Sequence, residues 1–254
     1  MLEIKNIRKS FNGQPVLKGV NLKIEDGQIT VIIGGSGCGK SVLLKHLIGL
    51  LAPDEGHILL DGADLCSLDK QNLKRERMRF GMLFQDAALF DSMNVYENIA
   101  FPLREHRKMK ESQIAENVRE KLSQVGLREI EKKLPSELSG GMRKRVGLAR
   151  AIVLNPEILL YDEPTTGLDP LSSKSIDALI VETQNNLKGT TIVISHDIRA
   201  TLRIANKIAM LHDGIIVAEG TPKEMFSNPN PIVHEFLHSG LTNAPPNVSK
   251  SDGI

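Results

Sequence analysis

The chain opens on alternating apolar and polar positions. LEIKNIRKSF from residue 2 and VLKGVNLKIEDG from residue 16 change character at nearly every second residue, and the NGQP between them is turn-forming, so the pair reads as antiparallel strands. QITVII, residues 28–33, is apolar almost throughout, as expected of a parallel strand covered on both faces. Leu43, Leu44, Leu47, Ile48 and Leu51 then recur at helical spacing and predict a helix from about Lys40 to Leu51, ended by Pro53. EILLY at 157–161 and TTIVI at 190–194 repeat the buried-strand pattern. Each stops at polar residues, Asp162 and Glu163 after one, Ser195 and His196 after the other. Ligands of open parallel sheets sit at the carboxyl ends of the strands, so these groups should converge on the helix start at Lys40.

Between these parts the period changes. Ile114, Val118, Leu122 and Val125 follow helical spacing until Gly126, and Val146, Ala149 and Val153 do so again, which predicts a helical subdomain over about 86–153 inserted into an α/β core. The expected domain spans 1–240, and the polar, proline-containing stretch 241–254 reads as a flexible tail. Composition narrows the class. A formal net charge of +1 gives no basic footprint for nucleic acid. The two cysteines, Cys38 and Cys66, fit a reducing compartment, and no segment has the length of a signal-peptide core or a membrane span.

GGSGCGKS, residues 34–41, is a glycine, four residues, then glycine, lysine and serine, placed between a predicted strand and a predicted helix. Chance alone would produce the pattern in about one per cent of chains of this length. Backbone N–H groups of Gly34, Gly35, Ser36, Gly37, Cys38 and Gly39 can point at phosphate oxygens, and the helix start adds partial positive charge. Lys40 would reach the β and γ phosphates of ATP, and the Ser41 hydroxyl would ligate Mg2+. Asp162, ending ILLYD, is placed to hold Mg2+ through water, and Glu163 could orient or deprotonate the attacking water. His196 would face the γ phosphate as a donor. Gln85, ending the strand-like RFGMLFQ, could touch Mg2+ or the water.

As a set, these residues resemble the ATP-binding subunits of ABC transporters over about residues 2–237. GGSGCGKS is similar to their Walker A motif, Gln85 to the Q-loop, LSGGM to the signature, ILLYDE to Walker B, GLDP to the D-loop and His196 to the switch histidine. The resemblance implies a P-loop NTPase fold with a RecA-like parallel sheet core, an N-terminal antiparallel β subdomain and an inserted helical subdomain. It also implies that Phe11 stacks on adenine, and that Ser139, Gly140 and Gly141 contact the ATP of a second copy, with Asp169 near the seam of that homodimer. MLFQDAALFDSMNVYENIAFPLREH and LPSELSGGMRKRV resemble the Mla-type ATPases of Gram-negative phospholipid transport, and Met142, where most signatures carry glutamine, agrees with that subgroup.

That narrower resemblance implies ATP hydrolysis driving lipid transport at the cytoplasmic face of the bacterial inner membrane. The implied partners are an integral-membrane permease, an MCE-domain substrate-binding protein and, in some systems, a STAS-domain protein. Motor motifs do not encode cargo, so an ABC transporter of another solute stays open. A soluble ABC ATPase of DNA maintenance or translation would call for a long coiled-coil insertion or two cassettes in one chain, and the sequence has neither. AALFDSMNVYENIAF is either a contact surface for the permease or subdomain core. Arg143, Lys144 and Arg145 read as a solvated helix face, with a phosphate contact as the alternative, and REHRKMK from Arg104 as facing lipid headgroups or water.

Overall fold

In the computed structural model, which describes residues 1–242 and side chains through residue 239, the two opening strands form β1 (Leu2–Phe11) and β2 (Gln14–Ile24), paired antiparallel. Next come β3 (Ile29–Ile33), α1 (Lys40–Leu47), β4 (Glu55–Leu60), β5 (Ala63–Asp64), α2 (Lys70–Arg77) and β6 (Phe80–Leu83). The helical region holds α3 (Val95–His106), α4 (Glu111–Gln124) and α5 (Gly140–Ile152). The chain then returns through β7 (Ile158–Asp162), α6 (Pro170–Leu187), β8 (Thr190–Ser195), α7 (Ile198–Ile204), β9 (Lys207–His212), β10 (Ile215–Gly220), α8 (Pro222–Phe226) and α9 (Pro231–Thr242). The expected tail lies outside the described residues except for 241–242, which continue α9.

Two sheets result. Strands β2, β1, β4 and β5 make a small antiparallel sheet, and β10, β9, β3, β8, β7 and β6 make the main one, in those orders. The main sheet is parallel from β9 to β6, with β10 added antiparallel at the edge. Alternation along its central strands separates two cores. Ile29, Val31 and Ile33 of β3, Leu159 and Tyr161 of β7, and Val193 of β8 face the helices α3 to α7. Ile32, Leu160, Ile192 and Ile194 point the other way, onto Leu43, Leu44 and Leu47 of α1 and the small sheet. Both faces are covered, which is why these strands read as apolar runs.

Helix α1 is shorter than its apolar spacing predicts. Gly49 takes a left-handed conformation and the Leu50 and Leu51 amides turn back to the Lys45 carbonyl, so the helix is capped before Leu51. Arg79, at the start of β6, pairs with Asp61, Glu76 and Glu157 and so joins the small sheet, α2 and the main sheet.

Candidate functional site

The site is built at the ends of β3, β7 and β8. After Ile33 the chain enters the glycine loop, where Gly34 has φ +155 and a Cβ would lie 2.2 Å from the Leu211 carbonyl oxygen of β9. Only glycine lets β9 close on the loop there. The loop's far end, Gly39 (φ +105), packs on β2, where an added Cβ would meet Leu17 at 2.8 Å. Gly35, Ser36 and Gly37 form the exposed tip, and half-buried Cys38 has its thiol pKa pushed up by burial, with Lys40 opposing. Lys40 is buried and curls back so that Nζ donates to the Gly34 and Gly35 carbonyls at 2.9 Å each. No acidic residue sits in the first turn of α1, so its positive end is left to an anion.

Across from this loop, the Ser41 hydroxyl lies 3.3 Å from Asp162 Oδ1 at the end of β7. Burial raises the Asp162 pKa and neighbouring Glu163 adds to it, while the Ser41 bond, Lys45 and Lys40 pull it back. Two hard oxygen donors this close suit Mg2+, which would complete its shell with phosphate and water oxygens. Among the described residues no group of three or more His, Cys, Asp or Glu could hold a metal ion by itself.

Glu163 is held on several sides. It has φ +49, a left-handed conformation that costs a non-glycine residue about 1–2 kcal/mol. Its amide donates to the Ile194 carbonyl at 3.0 Å. Its Oε2 accepts from Thr166 Oγ1 at 3.1 Å and lies 2.7 Å from His196 Nδ1. The Glu163 side chain is only 13% exposed while that of His196 is 59% exposed, so the imidazole leads from the open face to a sheltered carboxylate. A strained backbone fixed by its surroundings is a recurrent mark of functional positions.

The other predicted residues lie around this cluster. Gln85 is exposed and lines a cleft of about 180 Å³ with Gly140, Lys144 and Thr166, so here it faces the start of α5. Phe11 ends β1 with 42% of its surface exposed and with Lys9 Nζ 5.8 Å from its ring centre. The hairpin carrying Phe11 is the one whose second strand packs on Gly39.

Comparison with known proteins agrees with this geometry. The family model described as "ABC transporter" matches residues 17–166. The chain belongs to the ABC transporter family. It is 45% identical over 237 residues to a Mycobacterium leprae protein named probable ribonucleotide transport ATP-binding protein mkl, covering 93% of this chain and 68% of that one. It is 42% identical, over 93% of this chain and 90% of the other, to the Haemophilus influenzae intermembrane phospholipid transport system ATP-binding protein MlaF. A solved dimer of the ATP-binding cassette MJ0796 in a post-hydrolysis state with ADP and Pi superposes with a TM-score of 0.80 at 31% identity, covering 87% of this chain and 98% of that one. The chain is thus an ABC cassette that binds and hydrolyses ATP, with the parallel core, antiparallel β subdomain and helical subdomain that its motifs imply.

The ABC signature stands at the start of α5. Ser139 is the N-cap, its Oγ accepting from the Met142 amide at 3.2 Å, which leaves the hydroxyl proton free to donate. Added Cβ atoms at Gly140 and Gly141 would meet nothing closer than 3.5 Å. Asp169 caps α6 by accepting from the Leu171 and Ser172 amides at 3.0 Å, and Leu171 beside it is 79% exposed.

Three expectations are sharpened. The first basic run is a solvated face only in part: Arg143 is exposed and donates to the Leu138 carbonyl, while buried Lys144 donates to the Glu163 carbonyl and half-buried Arg145 to the Val125 carbonyl and Ser175. Burial lowers the Lys144 pKa against the pull of Asp86, Glu163 and Asp162. The second basic run is exposed, with Arg104 paired to Glu97 and Glu111. The stretch after Gln85 is both core and surface, with Val95, Ile99 and Leu103 buried and Phe90 and Phe101 forming an exposed edge-to-face pair 5.4 Å apart. Sequence patterning alone misses Lys144 and Thr166 as site residues, although Lys144 precedes buried Gly147 and Leu148 by three and four residues, a spacing that marks one helix face.

Proposed function

We propose that this cassette is the motor of a phospholipid transporter, working as a homodimer with each ATP between the P-loop of one copy and the signature of the other. The observation that carries the chemistry is the strand-end cluster of Lys40, Ser41, Asp162, Glu163 and His196. Lys40 and the loop amides hold the phosphate tail, and Phe11 offers a face to the adenine. Glu163 takes a proton from the water that attacks the γ phosphorus, while the bond from that phosphorus to the ADP oxygen breaks. His196 donates toward the γ phosphate and keeps Glu163 aligned. Mg2+ on Ser41 and Asp162, with Gln85 entering its shell or meeting the water as the helical subdomain closes, would offset phosphate charge.

The cargo reading is supported by the MlaF relative, 42% identical across 93% of this chain, and by Met142 in the signature. The permease would dock on the exposed Phe90–Phe101 face, holding the cassette at the cytoplasmic side of the inner membrane, with an MCE-domain protein and, in some systems, a STAS-domain protein completing the complex. No helix among the described residues is long and apolar enough to cross a membrane. The name of the mycobacterial relative, of which this chain spans about two thirds, favours a different solute. Purifying the cassette from membranes with its permease separates the two readings. Bound phospholipid is expected, and a complex that instead retains and transports ribonucleotide would overturn the lipid assignment.

A further inference from the structure

The left-handed backbone of Glu163 raises the question of what holds its carbonyl side in place. Two donors meet that oxygen, the Thr166 amide and Lys144 Nζ, both at 3.2 Å. Lys144 is 5% exposed, so its ammonium is committed to the contact. It stands on α5, five residues beyond Ser139, a separation of about 7–8 Å along the helix. Six residues further on, Arg150 donates to the carbonyls of Ala87 and Ala88 at 2.8 Å each. Those two alanines have φ +60 and +48, in the turn that follows Gln85. One helix therefore grips two left-handed segments, one at Glu163 and one after Gln85, and carries the signature at its tip.

We propose that Lys144 is a positioning residue for Glu163, setting the peptide plane of the general base from the helix that bears the signature. The inference rests on the assignment of Glu163 as the base. When α5 shifts to bring Ser139 onto a neighbouring copy's nucleotide, Lys144 travels with it. Glu163 is then aligned only with the helical arm seated, so the base of one site answers to the occupancy of the other. A charge-assisted bond suits this role, being directional and strong where the lysine is buried.

The test uses the full chain with ATP turnover and equilibrium ATP binding measured side by side. Lys144→Met should lower kcat about tenfold, since small misplacements of a catalytic group are costly. ATP affinity should stay within about twofold, a split expected of a group acting after binding. Lys144→Arg should recover most of the rate, and Lys144→Gln, which keeps a neutral donor, should fall between. Should the methionine variant fail to fold, the glutamine variant carries the same comparison. In a Glu163→Gln background the Lys144 change should alter residual turnover by less than about twofold, because both act through one group. A wild-type kcat in the methionine or glutamine variant, a loss matched by ATP affinity, or an additive loss in the double variant would overturn the proposal. Turnover surviving in Glu163→Gln alone would instead remove the base assignment, so the two failures are distinguishable.

Discussion

The chain has two helix starts suited to an anion, and their glycines answer to different neighbours. At α1, a Cβ on Gly34 would strike the Leu211 carbonyl and one on Gly39 would strike Leu17, so that loop is shaped by its own chain. At α5, Gly140 and Gly141 have only ordinary contact distances around them, to Leu168 and Ser172. Nothing among the described residues of the same chain demands glycine there. The first cradle also has its chemistry beside it, in Ser41, Asp162, Glu163 and His196. The second has a capping serine, two open glycines and an exposed Leu171 on the next helix. The comparison teaches that room left unused within a chain can be as informative as a crowded loop: the first cradle is shaped by its own chain, and the proposed dimer would give the second a nucleotide to close over.

Breaking the chemistry of the first cradle should have the largest effect. Glu163→Gln should reduce turnover about a thousandfold while ATP still binds, because a general base is removed without disturbing the loop. Sedimentation with ATP should then show a long-lived dimer. Lys40→Ala should weaken ATP binding about a hundredfold, read by titration with a fluorescent ATP analogue, as a buried charge-assisted contact to phosphate is lost. The same substitution should leave the signature of that chain able to serve another copy.

A smaller effect concerns Asp162, whose pKa is raised by burial and by Glu163. The folded state then holds this proton more tightly than the unfolded state. Its contribution to stability is present below the ordinary carboxylate pKa and is lost as pH rises through the raised value. Thermal unfolding of nucleotide-free Asp162→Asn should lack that component, so its Tm relative to wild type should climb with pH. Its Tm gain on adding ATP with Mg2+ should shrink. A wild-type gain would take Asp162 out of the metal site.

Much of the first cradle was legible because its signals are local. The loop spacing, the apolar runs of β3, β7 and β8, and the polar residues ending them all lie within short windows, and parallel topology brings those ends together. What escaped was contact between distant segments. A lysine on a helix reads as solvated, yet Lys144 is buried because the strand end at Glu163 packs over it. Arg104 pairs with Glu97 on its own helix and with Glu111 across the junction of α3 and α4. The antiparallel edge strand β10 and the early cap of α1 depend on turns at Gly214 and Gly49, whose left-handed backbones are not visible in apolar spacing.

The central claim is that the signature completes the site of another copy. Lys40→Ala and Ser139→Arg each disable one half, so either variant alone should be inactive. Mixed in equal amounts, they should regain roughly a quarter of wild-type ATP turnover, because half of the two-fold dimers then contain one composite site with both halves intact. No recovery on mixing, together with loss of ATP binding by monomeric Ser139→Arg, would mean that the signature serves its own chain.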